Sequence, residues 1–251
     1  MGRCSANREL TEPLSTRFKR NFFQSKYDET PLIRDVLQHK VTVATVSGRS
    51  YYRIINALKV MNLQFESLSP QEAALTDARI IITTKHEAGI LKRKDLLLDT
   101  ELEKLPILMK AKILRSSLGN VYSDMLTIGV DPGKRIGISV IFMHEEIGSF
   151  VESSPSRAVQ LISVLLSGID SRKRTVRVGD GDLNMARLIA TTLKSRFDSS
   201  VEIEIVNEWG TSLPHSSGKN RRGIRDISSA RKIALRNGRI FKPVQPIMTQ
   251  G

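Results

Sequence analysis

Cysteine is almost missing: Cys4 is the only one in 251 residues, so no intrachain disulfide can form and a C-x-x-C zinc site is excluded. Aromatic side chains are scarce, at 5% with a single Trp, which argues against a ligand surface built from stacked aromatic platforms. No apolar run approaches the length of a membrane span, and the opening MGRCSANREL lacks the apolar core of a secretory signal. The chain therefore reads as intracellular and cytoplasmic, with no membrane partner. Acid is in deficit as well. Against 39 Lys and Arg stand 26 Asp and Glu, a formal net charge of +13 that suits work beside a polyanion, with nucleic acid the first candidate partner. Basic composition alone does not decide this, since ribosome-associated and membrane-surface proteins share it.

The length allows two cores. Residues 1–38 mix Arg, Lys, Ser, Asn and Pro without a sustained period, which is the text of a basic N-terminal arm. Residues 39–118 read as a small α/β domain with a helical linker. VTVATVS from Val41 is a β-branched strand, Ser47-Gly48-Arg49-Ser50 a turn, and YYRIINALKVMNLQ a helix by apolar spacing. FESLSP and ARIIITT add two strands, giving a parallel βαβ unit. One glycine is far short of a phosphate-binding fingerprint, so the Ser-Gly-Arg-Ser turn is an ordinary strand-to-helix turn, and His86 a solvated loop residue. Residues 91–117 are rich in Leu and Lys, with Pro106 expected to break or kink them, and Leu118-Gly119-Asn120 is the best boundary.

Residues 119–251 spell the order βββαβαβα, a mixed sheet. MLTIGVDPG is a strand running into an acidic turn, RIGISVIFM its hairpin partner and EIGSFVES a third strand. A helix follows from SPSRAVQLISVLLSGID, capped by Ser153 or Ser154, then the strand TVRVGDG, a helix with Asp182 at its start, the strand VEIEIVNE and a last helix in DISSARKIALRNG. This order sets carboxylates at element ends: Asp131 after the first strand, Asp180 after the fourth, Glu208 after the fifth, and Asp226 opening the last helix. Parallel strands end at one rim of a sheet, so these acids can converge. Oxygen ligands of this kind suit Mg²⁺ or Mn²⁺, and two such ions can drive in-line phosphodiester cleavage. Each acid also has a plain structural role open to it. Asp131 can cap a turn, Asp182 and Asp226 can cap helices, Asp180 can be a turn residue and Glu208 a surface charge.

The text from about 125 to 241 resembles the ribonuclease H-like superfamily, and within it the RuvC-like resolvases and YqgF-type proteins. IGVDPGKRIGISV is similar to their first hairpin, whose Asp-x-Gly turn gives the first metal ligand, here Asp131. NEWGTS resembles the YqgF segment that carries Glu208, although Asn207 and Trp209 replace an Asp and an Arg. RDISSARKIAL resembles the last helix and assigns Asp226, with Ser229 where RuvC-type helices often carry a second acid; Asp180 fits the RuvC-type second acid. The resemblance implies a metal-dependent endonuclease with a two-metal site, acting on branched DNA, as a Holliday junction resolvase does in repair and recombination, or on structured RNA. Lys134, Arg135, Lys219, Arg221, Arg222 and Arg225 would hold phosphates, with Lys134 or Lys219 also placed to stabilise developing charge. Cutting two symmetric strands would need a homodimer. Two other readings stay open. One is a ribonuclease H-fold binding or scaffold protein without turnover; the other is an ATP-hydrolysing relative of the actin fold, which shares the opening turn.

Overall fold

The computed structural model describes residues 40–93, 96–103, 106–118, 124–208 and 222–243. The chain divides into two compact units between Gly119 and Asn120. Both are α/β, one built on a parallel sheet and the other on a mixed sheet. The basic arm at 1–38 lies outside the described residues.

In the first unit, β1 (Val41–Ala44) leads into α1 (Gly48–Val60), β2 (Phe65–Leu68), α2 (Pro70–Ala74), β3 (Ile81–Thr83), α3 (Ala88–Leu91), β4 (Leu97–Leu98), a 3-10 turn at Asp99–Glu103 and α4 (Pro106–Leu118). The four strands run parallel in the order β2-β1-β3-β4. That exceeds the expected βαβ unit: β4, only two residues long, carries too little pattern to announce itself. β1 and β3 are buried throughout, as their unbroken β-branched text requires of strands covered on both faces. Ser47 caps α1 through Ser50 N–H, so the Ser-Gly-Arg-Ser segment is indeed a strand-to-helix turn. α2 opens on a capping box between Ser69 and Glu72. Pro106 does not interrupt a helix but begins one, where a missing N–H costs nothing.

The second unit runs β5 (Met125–Asp131), β6 (Ile136–Phe142), β7 (Glu145–Glu152), α5 (Pro155–Gly168), β8 (Lys173–Gly179), α6 (Leu183–Phe197), β9 (Glu202–Val206), α7 (Arg222–Leu235) and β10 (Arg239–Ile240). Its six strands lie in the order β10-β9-β8-β5-β6-β7. β5, β8 and β9 are mutually parallel; β6, β7 and β10 each run antiparallel to a neighbour. The order βββαβαβα therefore stands, with β10 added at one edge. Ser154 caps α5, and its buried residues Ala158, Ile162, Leu165 and Leu166 recur at helical spacing. α6 buries Ala186, Ile189, Ala190 and Leu193 in the same way, and the two helices pack on each other.

α7 sets the geometry of the unit, because it lies directly on β5 and β6. Its inward residues Ile227, Ala230, Ile233 and Ala234 are nearly inaccessible. Close approach is possible only because the strands are bare beneath it. A Cβ on Gly129 would collide with the Ala230 carbonyl oxygen, and one on Gly137 with the carbonyl oxygen of Asp226. Arg177 on β8 ties down the far end of the helix. Its Nε donates to Glu204 Oε2 at 2.9 Å, Nη1 to the Ala234 carbonyl at 2.6 Å and Nη2 to Asn237 Oδ1 at 2.9 Å.

Candidate functional site

The C-terminal ends of β5, β8 and β9 share one rim, because Val130 pairs with Val178 and Gly179 pairs with Val206. Asp131 is the last residue of β5, half-buried at that rim. Asp180 follows β8 directly, and its Oδ1 accepts from Glu208 N–H at 2.9 Å. Glu208 lies two residues past β9 rather than on it, and folds back so that Oε1 accepts from Gly181 N–H at 3.1 Å. Gly179 makes room for this: a Cβ there would strike Glu208 Oε1.

Asp226 does not open the last helix, as its text suggests. α7 starts earlier, at Arg222, so Asp226 sits in its second turn, over Gly137 of β6. Gly223 lies in the first turn of α7, where a Cβ would come within 3.3 Å of the Arg135 guanidinium. Asp182, the other candidate from the acidic turn, accepts from Met185 N–H at 3.0 Å and is the N-cap of α6. Of that pair, Asp180 is the one joined to Glu208.

Burial and neighbouring charge both bear on these acids. Burial, then the charges of Glu208 and Asp226, push the Asp131 carboxyl from its ordinary 3.8 up to about 7, against a hydrogen bond from the Ser229 hydroxyl. Burial also raises Glu208, opposed by the Gly181 N–H and assisted by Asp180. Burial raises Asp226, with Arg135 and Arg225 pulling the other way. Arg135 Nε stands 4.0 Å from Asp226 Oδ2, on a side chain that is half exposed. Glu208 and Asp226 thus repel a charge on Asp131, and Asp180 repels one on Glu208. As they lie, no three His, Cys, Asp or Glu side chains among the described residues form a group at metal-ligand spacing.

The basic candidates divide. Lys134 and Arg135 are exposed on the β5–β6 turn, and Arg225 is half-buried on α7. Arg222 is the first residue of α7, while Lys219 and Arg221 lie outside the described residues. Sequence reasoning missed the parts that shape the rim: Ser229 as a donor to Asp131, Gly181 N–H as a donor to Glu208, and the bare spots at Gly137 and Gly179. A signal existed for Ser229, since three residues on from Asp226 places both on one helical face.

The fold and rim define an α/β protein of two units, with convergent acids on the mixed sheet. No protein-family model and no curated protein matches the sequence. No helix among the described residues is long and apolar enough to cross a membrane.

Proposed function

We propose that the second unit is a ribonuclease H-like domain of the RuvC or YqgF kind, and that the chain is a metal-dependent endonuclease acting on structured nucleic acid. The observation that carries this is Asp131, a strand-end carboxyl that burial first, and then the charges of Glu208 and Asp226, push up to about 7. A protein has little reason to crowd like charges at a rim unless something cationic is meant to share them. The strand order supports the fold assignment: β5 is central, followed outward by the antiparallel β6 and β7 on one side and the parallel β8 and β9 on the other.

The donor set fits a hard divalent ion, being all oxygen: Asp131, Asp180, Glu208 and Asp226. Bound there, Mg²⁺ or Mn²⁺, one ion or two, would supply Lewis acidity toward a water and a phosphodiester. The residues do the rest. Gly181 N–H and Gly179 orient Glu208, Asp180 braces the Glu208 backbone, and Ser229 fixes Asp131. Lys134, Arg135 and Arg225 offer charge for the phosphate backbone of branched DNA or structured RNA, a contact that carries no sequence information. Symmetric cutting of two strands would take a homodimer, and the enzyme would work inside the cell, in the cytoplasm.

A second reading, a nucleic-acid-binding or scaffold protein without turnover, draws on Ser229 standing where another acid could have stood and on the absence of ligand spacing among the described acids. Labelled four-way junctions, flaps and hairpin RNA incubated with Mg²⁺ or Mn²⁺ separate the two. Cleavage that disappears in Asp131→Asn favours the enzyme. Binding without cutting, indifferent to Asp131→Asn, favours the scaffold.

A further inference from the structure

The solvent face of α1, in the first unit, is unusual for a surface helix. Surface helices normally alternate charge signs. In GRSYYRIINALKV there is no acid at all, and Arg49, Tyr52, Asn56 and Lys59 recur at intervals of three, four and three, in line along one face. Buried Ser50, Ile54 and Leu58 define the opposite face. Arg49 and Lys59 are exposed, and Tyr52 keeps 66% of its surface in water although its ring would be better covered. The remaining cation of the helix, Arg53, is paired with Asp99 at 2.7 Å and so belongs to the fold rather than to this face.

The charge continues at the rim where α1 begins. β1 and β3 are parallel neighbours, Ala44 opposite Thr83, so the turns that follow them lie side by side. Glu87 fastens these turns together: Oε1 accepts from Val46 N–H at 2.8 Å and Oε2 from the Thr84 hydroxyl at 2.6 Å. That carboxylate is spent internally, and the exposed residues on the turn are Lys85 and His86.

We propose that this α1 face is a nucleic-acid docking surface of its own, with Arg49 and Lys59 on backbone phosphates and Tyr52 stacked on an unpaired base. The proposal goes beyond the nuclease reading, since it needs none of the acids of the second unit. Arg49 and Lys59 are separated by about 15 Å of helix, far enough apart to meet different phosphates. A lipid surface is a poorer fit, because the face presents one tyrosine and the edge of Val60 in place of a continuous apolar stripe.

The test uses the full chain in EDTA, where cutting plays no part. Affinity for a labelled four-way DNA junction and a hairpin RNA is followed across a KCl series. Arg49→Gln with Lys59→Gln should weaken binding about tenfold at 0.1 M salt and reduce the slope of log affinity against log salt by about two. Tyr52→Ala should weaken it about fivefold, with Tyr52→Phe close to the parent. Unaltered affinity and slope in the double variant, with an unaltered melt, would overturn the proposal. So would a loss confined to self-association or to a protein partner. A chain that shows these losses but never cuts would refute the nuclease reading alone.

Discussion

Asp131 is the most strongly shifted acid of the candidate site, and its carboxyl keeps a proton that an unfolded chain would release near its ordinary 3.8. The folded state therefore binds more protons than the unfolded state between about pH 4 and about pH 7, so metal-free stability falls as pH rises through that window. Glu208 and Asp226 are raised as well and act with the same sign. In urea melts with EDTA, the wild type should be less stable at pH 8 than at pH 5 by up to a few kcal/mol, on about 1.4 kcal/mol per pKa unit. Asp131→Asn should remove most of that difference, and Mg²⁺ should restore stability at pH 8 to the wild type only. Equal pH slopes for both proteins would contradict the crowding of charge. Ser229→Ala removes the donor that favours ionised Asp131, so it should steepen the fall toward high pH.

At the scale of elements, two glycines that look alike in the text differ in what lies above them. Gly137 faces the main chain of Asp226, which cannot step aside, whereas Gly179 faces the carboxylate end of Glu208 and the tip of Ile233, which can. Gly137→Ala should cost about 1–3 kcal/mol or more by forcing α7 off β6, as overpacking does. Gly179→Ala should lose less stability but displace Glu208, which a drop in divalent-ion affinity with a retained fold would reveal. Arg177→Lys loses a planar fork that serves three acceptors, and thermal melts should register a loss of about 1–3 kcal/mol.

These contacts also mark how far the text could be read. Long periodic segments such as those of β5, β6, α5 and α6 announced themselves through alternation and capping residues. β4 and β10, at two residues each, carried no period to detect and exist through pairing with a neighbour. Asp226 was legible as an acid of the site but not as an interior helical residue, because the N-terminal reach of α7 is set by tertiary packing on Gly137 rather than by a capping residue at 226. Only Gly181 separates Asp180 from Asp182 in sequence, and it is the folded turn that distinguishes a brace for Glu208 from a helix cap.

For the whole molecule, the excess of cations, +13, and the division into two units matter most. Each unit carries its own buried set, with Val43, Ile54, Leu58 and Ile82 in the first and Ile128, Ile138, Val176 and Ile233 in the second. Calorimetry should therefore resolve two transitions, and Asp131→Asn should move only one of them. A single transition shifted as a block would mean that the units melt as one.

The carbonyl of Asp226 rests on Gly137, so the residue that contributes an acid to the rim is also a point of backbone support. Lesions at this spot will not separate neatly under genetic selection. A library sorted for well-expressed yet inert protein should be rich in Asp226→Asn and empty at Gly137, since any side chain there would send the product to the proteases before its activity could be scored.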